Sequence, residues 1–61
     1  MKVIIEVHRH GYDTDQVRDT MTVGELMEIL EQFELDAPVY TSHDNGYTFG
    51  GINEWDFEEE E

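Results

Sequence analysis

The sequence predicts an α+β domain with one amphipathic helix packed on one face of a three- to four-stranded, mainly antiparallel sheet. Three observations lead to this fold class. Apolar residues alternate with polar ones over positions 3–7, and they recur at helical spacing over positions 21–33. An Asn45-Gly46 pair, the strongest short hairpin signal, then stands between two segments of strand composition.

The first element is a strand, because Val3, Ile5 and Val7 fall on one face of an extended chain. A turn-rich segment follows at 11–15, where glycine, aspartate and threonine are concentrated. Residues 16–18 are predicted to form a short returning strand.

The helix is the best-specified element. Thr22 is a good N-cap, and Glu25 three positions later completes a capping box. Met21 and Leu26 are spaced as a hydrophobic staple around that cap. Pro38 ends the helical segment, because proline cannot continue a helix and disfavours helical geometry in the residue before it.

In the C-terminal third of the chain the sequence predicts only strands. Residues 39–42 have strand composition, and residues 47–49 are expected to return after the Asn45-Gly46 turn. The glycine pair at 50–51 would allow a bulge. Residues 52–57 alternate again and are predicted to form the last strand.

A chain of 61 residues has room for one domain. We place that domain at residues 1–57 and expect the four glutamates at 58–61 to form a disordered acidic tail. The sequence has no cysteine, no apolar run of the roughly 20 residues that a membrane span needs, and an early acidic residue at Glu6. These features favour a cytoplasmic protein without a membrane partner.

Charge is the unusual property of this sequence. Sixteen acidic residues face three Lys and Arg, which gives a formal net charge of −13. Solubility of a small domain requires a magnitude of only about 2–8. The excess disfavours direct binding of nucleic acid or anionic lipid. It favours a basic protein as the partner.

Two resemblances bear on the context of the chain. The opener Met21-Thr22-Val23-Gly24-Glu25-Leu26 resembles that of ubiquitin-like sulfur carriers of the β-grasp fold. Those carriers act through a C-terminal Gly-Gly, whereas four glutamates stand here, so the carrier function is not implied.

The stretch from Thr22 to Gly51 is similar to small uncharacterised phage and prophage proteins. It shares a Thr-Val-Gly-Glu-Leu opener, an Asp-Ala-Pro-Val strand entry and an Asp-Asn-Gly-Tyr-Thr-Phe-Gly hairpin. This second resemblance implies a phage context and no particular chemistry.

Residues with the chemistry for catalysis or metal binding are few. His8 and His10 would share one face of a strand, and His43 could supply a third metal ligand, but the usual zinc spacings are absent. No nucleophile and base stand at a recognisable spacing, and there is no glycine-rich phosphate loop. We therefore expect no enzymatic activity, no cofactor and no bound metal.

The leading hypothesis is an acidic inhibitor that occupies the basic, nucleic-acid-binding surface of a host protein, as a nucleic-acid mimic in phage counter-defence would. The phage resemblance is consistent with this hypothesis, because anti-CRISPR proteins are phage proteins that are often small and acidic. In that case the host cytoplasm is the expected location. The predicted contacts are carboxylates of the helix, the hairpin and the last strand: Glu25, Glu28, Glu31, Asp44, Glu54 and Asp56. One alternative is a structural module that self-associates through its sheet edge into a homo-oligomer, and another is a metal- or ligand-sequestering protein that uses His8 and His10.

Overall fold

The computed structural model describes residues 1–60 and confirms the α+β class. It contains one α-helix and one three-stranded sheet of order β1-β2-β3. In chain order the elements are β1 (Val3–Glu6), a 3-10 turn (Thr14–Gln16), α1 (Val23–Leu30), β2 (Val39–Ser42), β3 (Gly50–Gly51) and a second 3-10 turn (Glu54–Asp56). No helix among these residues is long and apolar enough to cross a bilayer.

The sheet is mixed. β1 and β2 run parallel, with Val3 opposite Val39 and Glu6 opposite Ser42. β2 and β3 run antiparallel, with Tyr40 opposite Gly51. The parallel pair follows from chain order, because α1 stands between β1 and β2 and returns the chain to the same end of the sheet.

The start of α1 confirms the predicted cap. The Thr22 hydroxyl accepts the Glu25 backbone N–H at 3.2 Å, and the Glu25 carboxylate accepts the Thr22 N–H at 2.9 Å. The helix ends at Leu30 rather than at Phe33. The next amides bond three residues back, Gln32 to Ile29 and Phe33 to Leu30, so the last turn tightens into 3-10 geometry.

Two predicted strands are wrong. Residues 16–18 form no strand, because the Gln16 side chain accepts the N–H groups of Tyr12 and Asp13 and closes a 3-10 turn. Residues 52–57 form the second 3-10 turn instead of a last strand. There the Asp56 carboxylate accepts the Asn53 N–H at 2.8 Å. In the first segment the Gln16 and Val17 amides donate to the Asp13 and Thr14 carbonyls, and in the second the Asp56 side chain takes an amide that a strand would have to donate to its neighbour.

The turn at Asn45-Gly46 is confirmed, but the predicted returning strand is displaced. Asn45 and Gly46 have φ values of 59° and 87°, the left-handed conformation that this dipeptide tolerates. The amides of residues 47–48 donate to Asp44 and cannot join the ladder. Strand pairing therefore resumes only at Gly50–Gly51, where a bulge was expected.

The core is incompletely closed. Val3 and Val39 border one cavity together with Leu30 and Phe33, so the end of α1 and the segment after it face these two strands. Yet Val3, which is 7% exposed, is the only buried hydrophobic side chain among residues 1–60. The accessible surface is 6106 Å², about 2,000 Å² more than the roughly 4,100 Å² expected for a folded chain of this mass.

The predicted boundary between domain and tail at residue 57 stays a prediction. Residues 58–60 have no helix or strand, and the carboxylate of Glu60 accepts the Thr14 hydroxyl at 3.2 Å. The last residue of the predicted tail, Glu61, lies outside the described residues.

Candidate acidic partner-binding surface

The charge of the chain is strongly segregated. Residues 1–18 contain three basic and three acidic residues and are neutral in sum. Residues 19–61 contain thirteen acidic residues and no Lys or Arg, so they carry the whole net charge of −13. The negative field thus originates from α1, the loop after β2 and the C-terminal segment.

Glu25 has a structural role within this acidic set. Hydrogen bonds from the Thr22 backbone and then from its side chain hold the pKa of Glu25 below its ordinary value. The carboxylate also lies in the first turn of α1, where the helix dipole favours negative charge. Its position is therefore determined by the helix itself.

Asp44 is the centre of the loop between β2 and β3. It accepts the backbone N–H and the hydroxyl of Thr48, the N–H of Tyr47 and the hydroxyl of Ser42. Hydrogen bonds from Thr48, and to a smaller extent from Ser42, lower the pKa of Asp44 to about 2, with His43 adding a weak attraction. Both carboxylate oxygens of Asp44 thus have donors within its own loop.

Asp56, like Asp44, is bound within its own segment: one of its carboxylate oxygens accepts the Asn53 N–H. The local sequence carried this signal: Asn53 and Asp56 have the spacing of a capping box, and Asp44 precedes a turn dipeptide typical of Asx-type bonding. Sequence reasoning identified the structural role of Glu25 and missed those of Asp44 and Asp56.

Glu28, Glu31 and Glu54 are the predicted contact residues whose carboxylates remain free. They are exposed, and their side chains make no hydrogen bond within residues 1–60. Glu28 lies in the last turn of α1 and Glu31 is its C-cap residue, three positions later, whereas Glu54 lies on the second 3-10 turn. Glu34 and Asp36, just after the helix, are exposed as well.

The histidines lie together without forming a metal centre. His8 and His10 follow the end of β1, with ring centroids 6.2 Å apart, and border an open cavity of about 420 Å³ with Arg9 and His43. This cavity lies where the carboxyl ends of the parallel strands β1 and β2 meet. Within residues 1–60 no group of three His, Cys, Asp or Glu side chains is arranged to hold a metal ion.

Comparison with protein-family models, curated proteins and solved structures gave no match. Function therefore has to be inferred from the residues of the chain itself.

Proposed function

We propose that this chain is a non-catalytic inhibitor that binds a basic, nucleic-acid-binding surface of another protein through the outer side of α1. A phage counter-defence role, of which anti-CRISPR proteins are an example, fits this activity. The segregated charge supports the proposal most directly. All of the net charge lies in residues 19–61, and the free carboxylates Glu28 and Glu31 project from the helix there.

The spacing of the helical acids suits the mimicry of a phosphate backbone. Glu25, Glu28 and Glu31 follow each other at three-residue steps, or about 4.5 Å along the axis at 1.5 Å per residue. This is close to the rise of about 3.4 Å per phosphate along one strand of B-DNA. Lys and Arg side chains that bind phosphates can pair with carboxylates at a similar repeat.

The cost of this arrangement also supports a function for it. Acidic residues near a helix C-terminus oppose the helix dipole, and Glu28, Glu31 and Glu34 lie in or just after the last turns of α1. Glu28 and Glu31 are also three residues apart, a spacing at which like charges repel. A basic partner would relieve both penalties when it binds.

The lowered pKa values of Glu25 and Asp44 have local structural causes. Perturbed pKa values often mark catalytic sites. The two carboxyl groups whose pKa values are shifted, Glu25 and Asp44, owe the shift to hydrogen bonds within a helix cap and a loop. Neither shift requires a catalytic explanation.

The proposal is tested by charge reversal with a matched control. Glu28→Lys/Glu31→Lys should weaken binding by about tenfold or more, because two attractive contacts become repulsive. Glu58→Lys/Glu59→Lys makes the same change in net charge away from α1 and should have a much smaller effect. Far-UV circular dichroism should show an intact helix in both variants, since Glu28 and Glu31 are exposed.

The partner is obtained by affinity capture from host lysate, with and without nuclease and at two salt concentrations. We expect a nucleic-acid-binding protein that added DNA or RNA displaces, and binding that weakens steeply with salt. Equal loss of binding in the two double variants would mean that only net charge matters. Recovery of no protein at low salt would refute the proposal.

A further inference from the structure

The edge of the sheet at which the parallel strands β1 and β2 end carries an open cavity of about 420 Å³. One side of this cavity belongs to the segment that follows β1, and the other to the residue that follows β2. In open sheets with parallel strands, ligands bind outside the carboxyl ends of the strands. Among the residues that the structure describes, the cavity is lined by Val7 and by four residues whose side chains can donate hydrogen bonds, which we name the basic cluster: His8, Arg9, His10 and His43.

The lining of this cavity contrasts with the charge of the whole chain. The sequence has sixteen acidic residues, three Lys and Arg, and three histidines. All three histidines and one of the arginines line the cavity, and none of the lining residues is acidic. The parallel pairing of β1 with β2 brings His43 to His8 and His10, which are more than 30 positions away in the sequence. Side chains that favour a negatively charged ligand are thus gathered at one site of an otherwise acidic chain.

Two acids beside the basic cluster have hydrogen-bond partners of their own. The Glu6 carboxylate, at the end of β1, accepts the Asn45 N–H at 3.0 Å. Asp44, the residue after His43, accepts donors of its own loop on both carboxylate oxygens. Neither carboxylate makes a hydrogen bond to a side chain of the basic cluster.

The donors of the basic cluster remain free. The Arg9 guanidinium donates no hydrogen bond within residues 1–60. Asp19 lies on the other side of His8 and His10, where the three border a neighbouring cavity, and it makes no hydrogen bond to them. The backbone N–H groups of residues 8–11 also have no acceptor within residues 1–60. Side-chain and backbone donors are therefore available to an anion from outside the chain.

We infer that the basic cluster binds the phosphate group of a small ligand, either free phosphate or a phosphorylated small molecule. The planar guanidinium of Arg9 can donate to two phosphate oxygens at once, and imidazole N–H groups can donate to the others. The volume of about 420 Å³ lies in the range of small-molecule sites. A nucleic acid is disfavoured, because the net charge of −13 repels a polyanion.

A phosphate group fits the basic cluster better than a metal ion does. The guanidinium of Arg9 has no acceptor that could ligate a metal, and its positive charge repels a cation. Within residues 1–60 no three His, Cys, Asp or Glu side chains are arranged as a metal site. The phosphate site lies apart from α1 and does not depend on the proposed function. It also gives a chemical class to the ligand of the sequestering alternative that uses His8 and His10.

Anion binding should strengthen as the pH falls from about 8 to about 6. Histidine ordinarily gains its proton near pH 6.5, and a bound anion favours the protonated form. Carboxyl groups ordinarily titrate near pH 4, so the acids around the histidines add no step in this range: Glu6, Asp19 and Asp44. Phosphate monoesters gain a proton near pH 6 themselves. Sulfate stays a dianion and therefore isolates the contribution of the histidines.

The experiment is a titration of the full chain with inorganic phosphate and with sulfate at about pH 6 and about pH 8, followed by amide chemical shifts. A constant ionic strength of about 0.15 M limits the long-range repulsion by the net charge. The shifts that change should map to residues 7–11 and 43, and sulfate should bind about tenfold more tightly at pH 6 than at pH 8.

Two variants with a matched control test the named side chains. Arg9→Gln should raise the phosphate dissociation constant about fivefold or more, because a bidentate donor is lost. Arg18→Gln removes the same charge at an exposed residue outside the cavity and should leave the constant nearly unchanged. His8→Gln/His10→Gln should reduce the ratio between the two sulfate constants to about threefold or less. Far-UV circular dichroism checks folding at each pH.

Further titrations distinguish the possible ligands. Equal affinity for glycerol phosphate and inorganic phosphate would identify the free anion, and tighter binding of glycerol phosphate would identify a phosphorylated small molecule; both support the site. Tighter binding of a short oligonucleotide would overturn the choice of a small ligand. So would zinc binding that persists in Arg9→Gln in the absence of any anion binding. Equal weakening in Arg9→Gln and Arg18→Gln, or no shift in wild type up to about 10 mM of either anion at pH 6, would overturn the inference.

Discussion

Removing the hydroxyl of Ser42 is the most direct test of how the loop between β2 and β3 is held. The Ser42 hydroxyl accepts the Gly46 N–H at 2.9 Å and donates to the Asp44 carboxylate at 3.1 Å. Ser42, which is 3% exposed, is also the only buried polar side chain among residues 1–60. Ser42→Ala therefore removes two well-formed hydrogen bonds and leaves the Gly46 amide without a partner.

The magnitude follows from those two bonds. Each contributes a net of about 0.5–1.5 kcal/mol, so the variant should lose about 1–3 kcal/mol of the free energy of unfolding. A domain of 61 residues has a total stability of about 3–9 kcal/mol at the usual value per residue. The melting temperature should fall by about 4–8 °C for each kcal/mol lost.

Urea unfolding followed by far-UV circular dichroism measures the change. Thr20→Ala, which removes an exposed hydroxyl with no hydrogen bond within residues 1–60, is the control and should stay within about 0.5 kcal/mol of wild type. In Ser42→Ala, hydrogen exchange should accelerate at the Gly46 amide. If Ser42→Ala unfolds at the same urea concentration as Thr20→Ala, the loop is not held by this hydroxyl and the reasoning fails.

Two further predictions concern the helix cap and the loop carboxylate. Thr22→Ala should cost about 1 kcal/mol, because the Glu25 amide loses its cap; an unchanged thermal midpoint would argue against the capping box. The pKa of Asp44 falls from 3.8 to about 2 in the folded state, so the stabilisation is complete above about pH 4 and is lost as pH falls through about 2. The stability difference between wild type and Asp44→Asn should therefore shrink over that interval in urea titrations at stepped pH, and a constant difference would contradict the assignment.

Local sequence was sufficient for two features whose interacting groups are close along the chain. The capping box of Thr22 and Glu25 spans three residues, and the left-handed turn needs only Asn45 and Gly46, so both could be predicted without a fold. The acidic outer side of α1, with Glu28 and Glu31, followed from helical periodicity in the same way.

Sequence reasoning failed where a side chain competes with the backbone. Alternation in residues 52–57 favoured a strand, yet Asp56 takes the Asn53 amide and a 3-10 turn forms. Asp44 likewise holds two amides that a returning strand at 47–49 would have needed. Strand propensity describes how a side chain packs on a sheet, and it does not count the amides that a nearby carboxylate removes from the ladder.

The sequence by itself determined the class of fold, the helix with its cap, and the excess of negative charge. Only the tertiary structure decided which carboxylates are free, since Asp44 and Asp56 are bound by their own loops while Glu28, Glu31 and Glu54 are not. It also decided the parallel pairing of β1 with β2, which joins residues 36 positions apart. That pairing places Ile4 beside Tyr40.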